Sequence, residues 1–249
     1  MFPIRDHNPS GRIPYVTYGI IALNVIIFVS YAAFLNDDAA MASILGDFAL
    51  VPAELVRGEE TYTLLTSMFM HGGWMHLAGN MLFLWIFGDN LEDMFGHVGF
   101  LIFYLVCGIA ADAAHILPDP NSQIPLVGAS GAIAGVMGGY LLLFPKAKVD
   151  VLLIFIVFFR VFSLAAWIVL AAWFAMQIFS GVSTPTQGGG VAYWAHAGGF
   201  AAGILLALPF FLKQGGPAFW ARTEGHPDHP PQKIPERISN IPVVQRTRK

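Results

Sequence analysis

GASGAIAGVMGG, residues 128–139, opens an apolar run that continues as YLLLFP to residue 145. The run carries no charge, and glycine recurs every four positions at Gly131, Gly135 and Gly139. Ala134 and Gly138 follow Ser130 down its own face of the helix. Small residues at that spacing let two helix backbones approach closely in lipid. The stretch therefore reads as a membrane helix packed against another helix, with a single hydroxyl at its start.

Working outward, the composition agrees with a lipid solvent. Apolar residues fill 56% of the 249 positions and charged residues only 12%, against about 25% charged in soluble domains. The mean hydropathy is +0.62. A net charge of −3, with no basic patch interleaved with aromatics, gives no reason to expect a nucleic-acid partner. Cys107 is the only cysteine and lies in an apolar run, so an internal disulfide is excluded and a buried packing thiol is expected.

Apolar runs place six membrane helices at 14–35, 76–95, 98–117, 128–145, 162–181 and 191–212. The first follows a short polar segment, 1–13, with Arg5 and Arg12, and reads as an uncleaved signal anchor. Residues 36–75 form an amphipathic loop. Residues 149–161 are apolar but carry Arg160, and read as an interfacial segment ahead of the fifth span. A seventh span through them is the rival reading. The fold expected is an all-α membrane protein, a six-transmembrane-helix bundle over 14–212. It is flanked by a cytoplasmic N-terminus, 1–13, and a Pro-rich, disordered cytoplasmic tail, 213–249.

Charge asymmetry favours six spans. With the N-terminus inside, the inner segments hold twelve of the thirteen Lys and Arg residues, and only Arg57 falls outside. The outer segments are acidic, with Asp37, Asp38, Asp47, Glu54, Glu59, Glu60 and Asp119. A seventh span would carry the basic tail outside. The expected setting is the bilayer of a bacterial-type cell membrane, crossed several times, with both termini cytoplasmic.

Polar residues inside membrane helices are expensive and mark candidate sites. Three clusters stand out: His76 and Asn80 in HGGWMHLAGNM (71–81), Ser130 in the opening stretch, and His196 in YWAHAGGF (193–200). The second, fourth and sixth spans all run inward, so the three clusters share one depth, within about 10 Å of the outer surface. His196 shares a face with Gly199 and Gly203, and packing that face on the glycines of the fourth span would turn Ser130 toward His196. A serine hydroxyl needs a base within hydrogen-bonding reach, and His196 is the histidine placed to serve. No acid lies at the matching depth, so a dyad is expected rather than a triad. Attack on a peptide carbonyl also needs oxyanion donors. The Ser130 backbone N–H, in the first helical turn, is free to be one; His76 and Asn80, one turn apart, could supply the others.

These residues carry a family resemblance: over 14–212 the chain resembles the rhomboid family of intramembrane serine proteases. The resemblance implies Ser130 of Gly128-Ala-Ser-Gly131 as nucleophile, His196 with Gly199 on the last core helix as base, and His76 and Asn80 at the oxyanion hole. Glu92, in GDNLEDMFG (88–96), matches the family's structural glutamate at the inner end of the second span. It further implies transmembrane protein substrates cut near the outer membrane face, with no cofactor and no metal. Two positions depart from the family pattern. The Trp-Arg pair common in the first loop reads Tyr62-Thr63, and Ala134 stands where some relatives carry a tyrosine that stacks on the base.

Rival chemistries fit the residues less well. His71 and His76 are five apart with no glutamate between, unlike a zinc H-E-x-x-H site, and His71 reads as a loop or interfacial residue. Asp89 and Asp112 lie at different depths and make a poor aspartyl pair. Haem ligation by His76 and His196 would leave Ser130 and its glycines unexplained. A catalytically silent membrane-protein binder of the same fold is the remaining alternative.

Overall fold

The computed structural model describes residues 2–155, 158–183 and 191–223. Strand β1 (Phe2–Asp6) leads to helix α1 (Tyr15–Tyr31), which ends in a 3-10 turn over Ala32–Phe34. The first loop folds as α2 (Asp38–Phe48), α3 (Pro52–Val56) and α4 (Thr63–Thr66). Then come α5 (Trp74–Ile116), α6 (Ser130–Leu143), strands β2 (Lys148–Phe155) and β3 (Phe158–Ala165), α7 (Ala166–Ser183), α8 (Tyr193–Lys213) and α9 (Pro217–Thr223).

α5 is two helices in sequence. Gly96 interrupts it at φ 73° and ψ 165°, a backbone conformation open to glycine and costly for other residues. The halves on either side correspond to the second and third expected spans. Among the described residues α1 with its 3-10 turn, α5, α7 and α8 are long and apolar enough to cross a membrane. α6 is the exception, with 14 residues. At 1.5 Å per residue it is about 21 Å long, short of the roughly 30 Å hydrocarbon thickness. It is also the central element: every residue from Gly131 to Tyr140 is buried, and its neighbours are chiefly α8 and α5. The surrounding helices turn large apolar side chains outward, among them Ile26, Trp85, Ile102, Phe179 and Leu205. An exposed surface of that kind calls for lipid. The chain is an integral membrane protein built mainly of helices.

Residues 148–155 and 158–165 take β form, which was not foreseen. β2 and β3 make an antiparallel hairpin, and β1 pairs with β2 to complete a three-stranded sheet in the order β1-β2-β3. The fifth span accordingly begins at Ala166, and residues 162–165 belong to β3. A short apolar run is compatible with a strand or a buried helix when only its periodicity is known. Here the β-branched and aromatic content, together with cross-strand pairing, decides. Asp150 ties the sheet together, accepting bonds from Arg5 (2.8 Å), His7 (2.8 Å) and Ser163. These partners hold its carboxyl well below the usual carboxylate range, the Ser163 hydroxyl most of all.

The segments grouped on one side by charge gather at one end of the bundle. There Glu92, 1% exposed, accepts the backbone N–H of Val16 (2.9 Å) and Thr17 (2.7 Å) and the Thr17 hydroxyl (2.7 Å). It thereby caps the N-terminus of α1, where unpaired N–H groups and the helix dipole both favour a carboxylate. Asp93 accepts the Gly11 N–H at 2.8 Å, and the Tyr140 hydroxyl donates to Asp6 at 2.7 Å. The start of the expected tail also packs here: Phe219 is buried, and the Trp220 ring N–H donates to the Leu142 carbonyl at 2.9 Å. The rest of that tail, 224–249, lies outside the described residues.

At the opposite end, the first loop is held by backbone pairing between Leu50 and Leu126. Tyr62 and Thr63, at the position of the Trp-Arg pair, bond within the loop. The Tyr62 hydroxyl reaches the Asp47 carbonyl (2.9 Å) and the Thr63 hydroxyl the Glu60 carbonyl (2.8 Å).

Candidate active site

Glycine contacts bring the two halves of the site together. A methyl group on Gly199 would fall 2.0 Å from the Gly131 carbonyl oxygen, one on Gly203 1.9 Å from the Gly135 carbonyl, and one on Gly138 2.1 Å from the Phe200 carbonyl. The backbones of α6 and α8 thus touch directly, as the small-residue spacing predicts. Gly131 is equally constrained from the other side, where a methyl would meet the Ala111 side chain at 2.5 Å. Ser130 begins α6 and His196 lies in the first turn of α8. With the backbones in contact, the Ser130 hydroxyl donates to Nε2 of His196 at 2.8 Å.

The imidazole is held on its far side as well. Its Nδ1–H donates to Oε1 of Gln177 at 2.8 Å, from a side chain of α7 that is 6% exposed. One turn earlier on α7, Trp173 lies against the His196 ring, centroids 5.7 Å apart and planes tilted by 37°. It contributes an aromatic neighbour on a face for which Ala134 offers none. Gln177 escaped the sequence reading, which looked for an acid. The signal available was a lone amide deep in an apolar helix, a residue type that lipid-facing positions exclude.

His76 and Asn80 form the opposite wall of a cavity of about 620 Å³ whose lining includes Ser130, Trp173 and His196. Nδ1 of His76 accepts the Gly72 N–H at a long 3.4 Å, so Nε2 carries the proton on the neutral ring. That nitrogen faces Gly128: a methyl there would lie 2.8 Å from His76 Nε2 and 3.6 Å from Ser130 Oγ. Gly128 has φ +130°, so both its backbone and the space around it require glycine. Asn80, 8% exposed, donates one amide hydrogen to Nε2 of His71 at 2.9 Å, which leaves the second for another acceptor.

His71 lies in the loop ahead of α5, as expected, but faces inward. It is 1% exposed. Burial, with His76 adding to it, lowers its pKa to about 4, so it accepts from Asn80 as a neutral ring. The Tyr31 hydroxyl clamps its backbone, accepting from the His71 N–H (2.7 Å) and donating to the His71 carbonyl (2.9 Å). Nothing in the residue order signals this link between α1 and the cavity wall.

Glu92 stands apart from this constellation, at the other end of the bundle, where it caps α1. Among the described residues no three His, Cys, Asp or Glu side chains are grouped so as to hold a metal ion. Both ring nitrogens of His196 are engaged in hydrogen bonds.

These features define a class: a polytopic helical membrane protein with a serine–histidine pair enclosed among its helices. Comparison with known proteins makes the assignment specific. The model of the Rhomboid domain matches residues 58–213, more than half of the chain, and the chain belongs to the rhomboid family. It is 36% identical over 128 residues to Rhomboid protease GluP of Bacillus subtilis (strain 168), covering 51% of this chain and 24% of that protein. It is 29% identical over 194 residues to Rhomboid protein 1, mitochondrial, of Saccharomyces cerevisiae (strain ATCC 204508 / S288c), covering 76% and 51%. It is 32% identical over 149 residues to Rhomboid-like protein 11, chloroplastic, of Arabidopsis thaliana, covering 58% and 51%. The matched regions thus span between a quarter and about half of these relatives' own lengths.

Proposed function

We propose that this chain is an intramembrane serine endopeptidase that cleaves transmembrane proteins near the outer membrane face, with Ser130 as nucleophile and His196 as base. The observation that carries this is the 2.8 Å hydrogen bond from Ser130 Oγ to His196 Nε2 beside a cavity large enough for an extended peptide segment. The Ser130 oxygen attacks the scissile carbonyl carbon while its proton passes to Nε2. The proton then goes to the leaving amine as the C–N bond breaks. Water, deprotonated by the same nitrogen, releases the acyl group and restores the serine.

Negative charge on the tetrahedral oxygen is met from three directions. The Ser130 N–H, first in α6, has no intrahelical acceptor. Nε2–H of His76 faces the same opening across Gly128, and Asn80 offers its second amide hydrogen. The shortness of α6 favours the reading further. A helix of about 21 Å starts below the membrane surface if it ends at the inner one. The cavity above Ser130 then admits water to a site otherwise enclosed by lipid-facing helices.

The twelve basic residues assigned to inner segments support both termini in the cytoplasm. The decisive experiment is cleavage of a transmembrane reporter with small residues at the cut site, by the purified protein in proteoliposomes. Ser130→Ala and His196→Ala should each abolish it while leaving the melting temperature in place. Retained cleavage in Ser130→Ala would refute the mechanism.

A further inference from the structure

We propose that Gln177 is the positioning residue of the site, a neutral third member that holds His196 in the tautomer and orientation that Ser130 requires. This rests on the reading of Ser130 and His196 as nucleophile and base, and extends it to the side of the imidazole that does not touch the serine. A histidine can accept a proton at Nε2 only if its other proton sits on Nδ1, and a carbonyl-type acceptor at Nδ1 fixes that choice. The Gln177 oxygen lies 2.8 Å from Nδ1, in line with the 2.8 Å bond from Ser130 to Nε2.

The surroundings of Gln177 show why the amide is there. α7 exposes Trp167, Met176, Phe179 and Val182, so most of its surface faces lipid. Gln177 is instead one of the buried residues of α7, with Ala166 and Leu170, where an amide without a partner is costly. A carboxylate in this position would bring a full charge into the membrane interior. The amide orients the ring while keeping the resting site uncharged. Trp173, one turn away on the same helix, packs against the same imidazole. α7 therefore restrains His196 at two points, one polar and one aromatic.

Two variants of the full chain test this, each measured in proteoliposomes. Gln177→Met keeps the length of the side chain and removes the acceptor. It should lower kcat and the rate of fluorophosphonate labelling of Ser130 together, by about 10- to 100-fold, with KM within about twofold of wild type. Gln177→Glu keeps the acceptor and adds a charge. Its negative charge against Nδ1 stabilises the imidazolium, so the acid limb of the kcat/KM profile should move to higher pH. The other titratable groups close enough to act on the ring are His76 and His115 of α5, and both are unchanged in this variant.

A Gln177→Met protein with wild-type kcat and labelling overturns the proposal, because a packing role alone would then suffice. Should that variant lose its melting transition, the nearly isosteric Gln177→Glu decides: an acid limb coincident with wild type overturns the proposal, and a displaced one supports it. Wild-type protein that resists labelling at Ser130 would instead defeat the underlying protease reading, before any Gln177 variant is compared.

Discussion

Gly199→Ala should inactivate the protein without unfolding it. The added methyl carbon would lie 2.0 Å from the Gly131 carbonyl oxygen, where ordinary contact begins at 3.4 Å. To relieve the overlap, α6 and α8 must separate by about 1.4 Å, a strain of the overpacking kind that costs about 1–3 kcal/mol. That cost alone leaves the bundle folded. Its location is what matters: Gly131 adjoins Ser130, and His196 lies one turn from Gly199 on α8. Parting the backbones there stretches a 2.8 Å hydrogen bond beyond the range in which proton transfer is supported. A misplacement of about 1 Å at a reacting centre can cost about 100-fold, so kcat/KM should fall by at least about that factor. The assay is reporter cleavage in proteoliposomes, with fluorophosphonate labelling to separate loss of the nucleophile from loss of substrate binding. A thermal melt checks that the fold persists. Gly19→Ala is the control, since a methyl there meets nothing within 4 Å. If Gly199→Ala cleaves within about threefold of wild type, direct backbone contact does not set the Ser130–His196 distance and the reasoning fails.

Asn80→Ala should reduce kcat by about 10- to 1000-fold, the usual cost of one oxyanion donor; an unchanged kcat would remove Asn80 from that role. Glu92→Gln should leave the chemistry intact and weaken the cap on α1 by about 1–3 kcal/mol. That lowers the melting temperature by several degrees, and a melt identical to wild type would contradict it. At the end of the bundle that carries β1, burial pushes the Asp6 carboxyl up to about 7, against the opposing effect of the Tyr140 hydroxyl. The folded state therefore binds this proton more tightly than the unfolded chain does. Its contribution to stability is complete below the ordinary carboxylate value and is lost as pH rises through about 7. Melts from pH 4 to pH 8 should show wild type losing stability relative to Asp6→Asn; parallel curves would refute the assignment.

Several features were legible from residue order because membrane physics restricts what residues can do. Lipid excludes charge, so the apolar runs located the helices, and the basic residues sorted the segments into the two groups that gather at opposite ends of the bundle. Spacing of Gly131, Gly135, Gly199 and Gly203 announced two helices in backbone contact, because only hydrogen atoms fit there. Ser130 and His196 were visible as isolated polar groups at the starts of those helices, and the contact between them follows from the glycines. Other features depended on partners distant in sequence. The β form of 148–155 and 158–165 comes from pairing with residues 2–6 and with each other, which an apolar run does not declare. The burial of His71 within its loop depends on Tyr31, forty positions earlier, closing on its backbone and Asn80 on its ring. Gln177 went unremarked in its apolar helix, and only the packing of α7 beside α8 sets it on Nδ1 of His196. Sequence alone located the apolar helices and singled out Ser130 and His196 as polar groups within them, since each reflects a local cost of polarity or bulk in lipid. Tertiary structure alone decided what orients those residues, since a hydrogen bond between helices exists only once the helices have met.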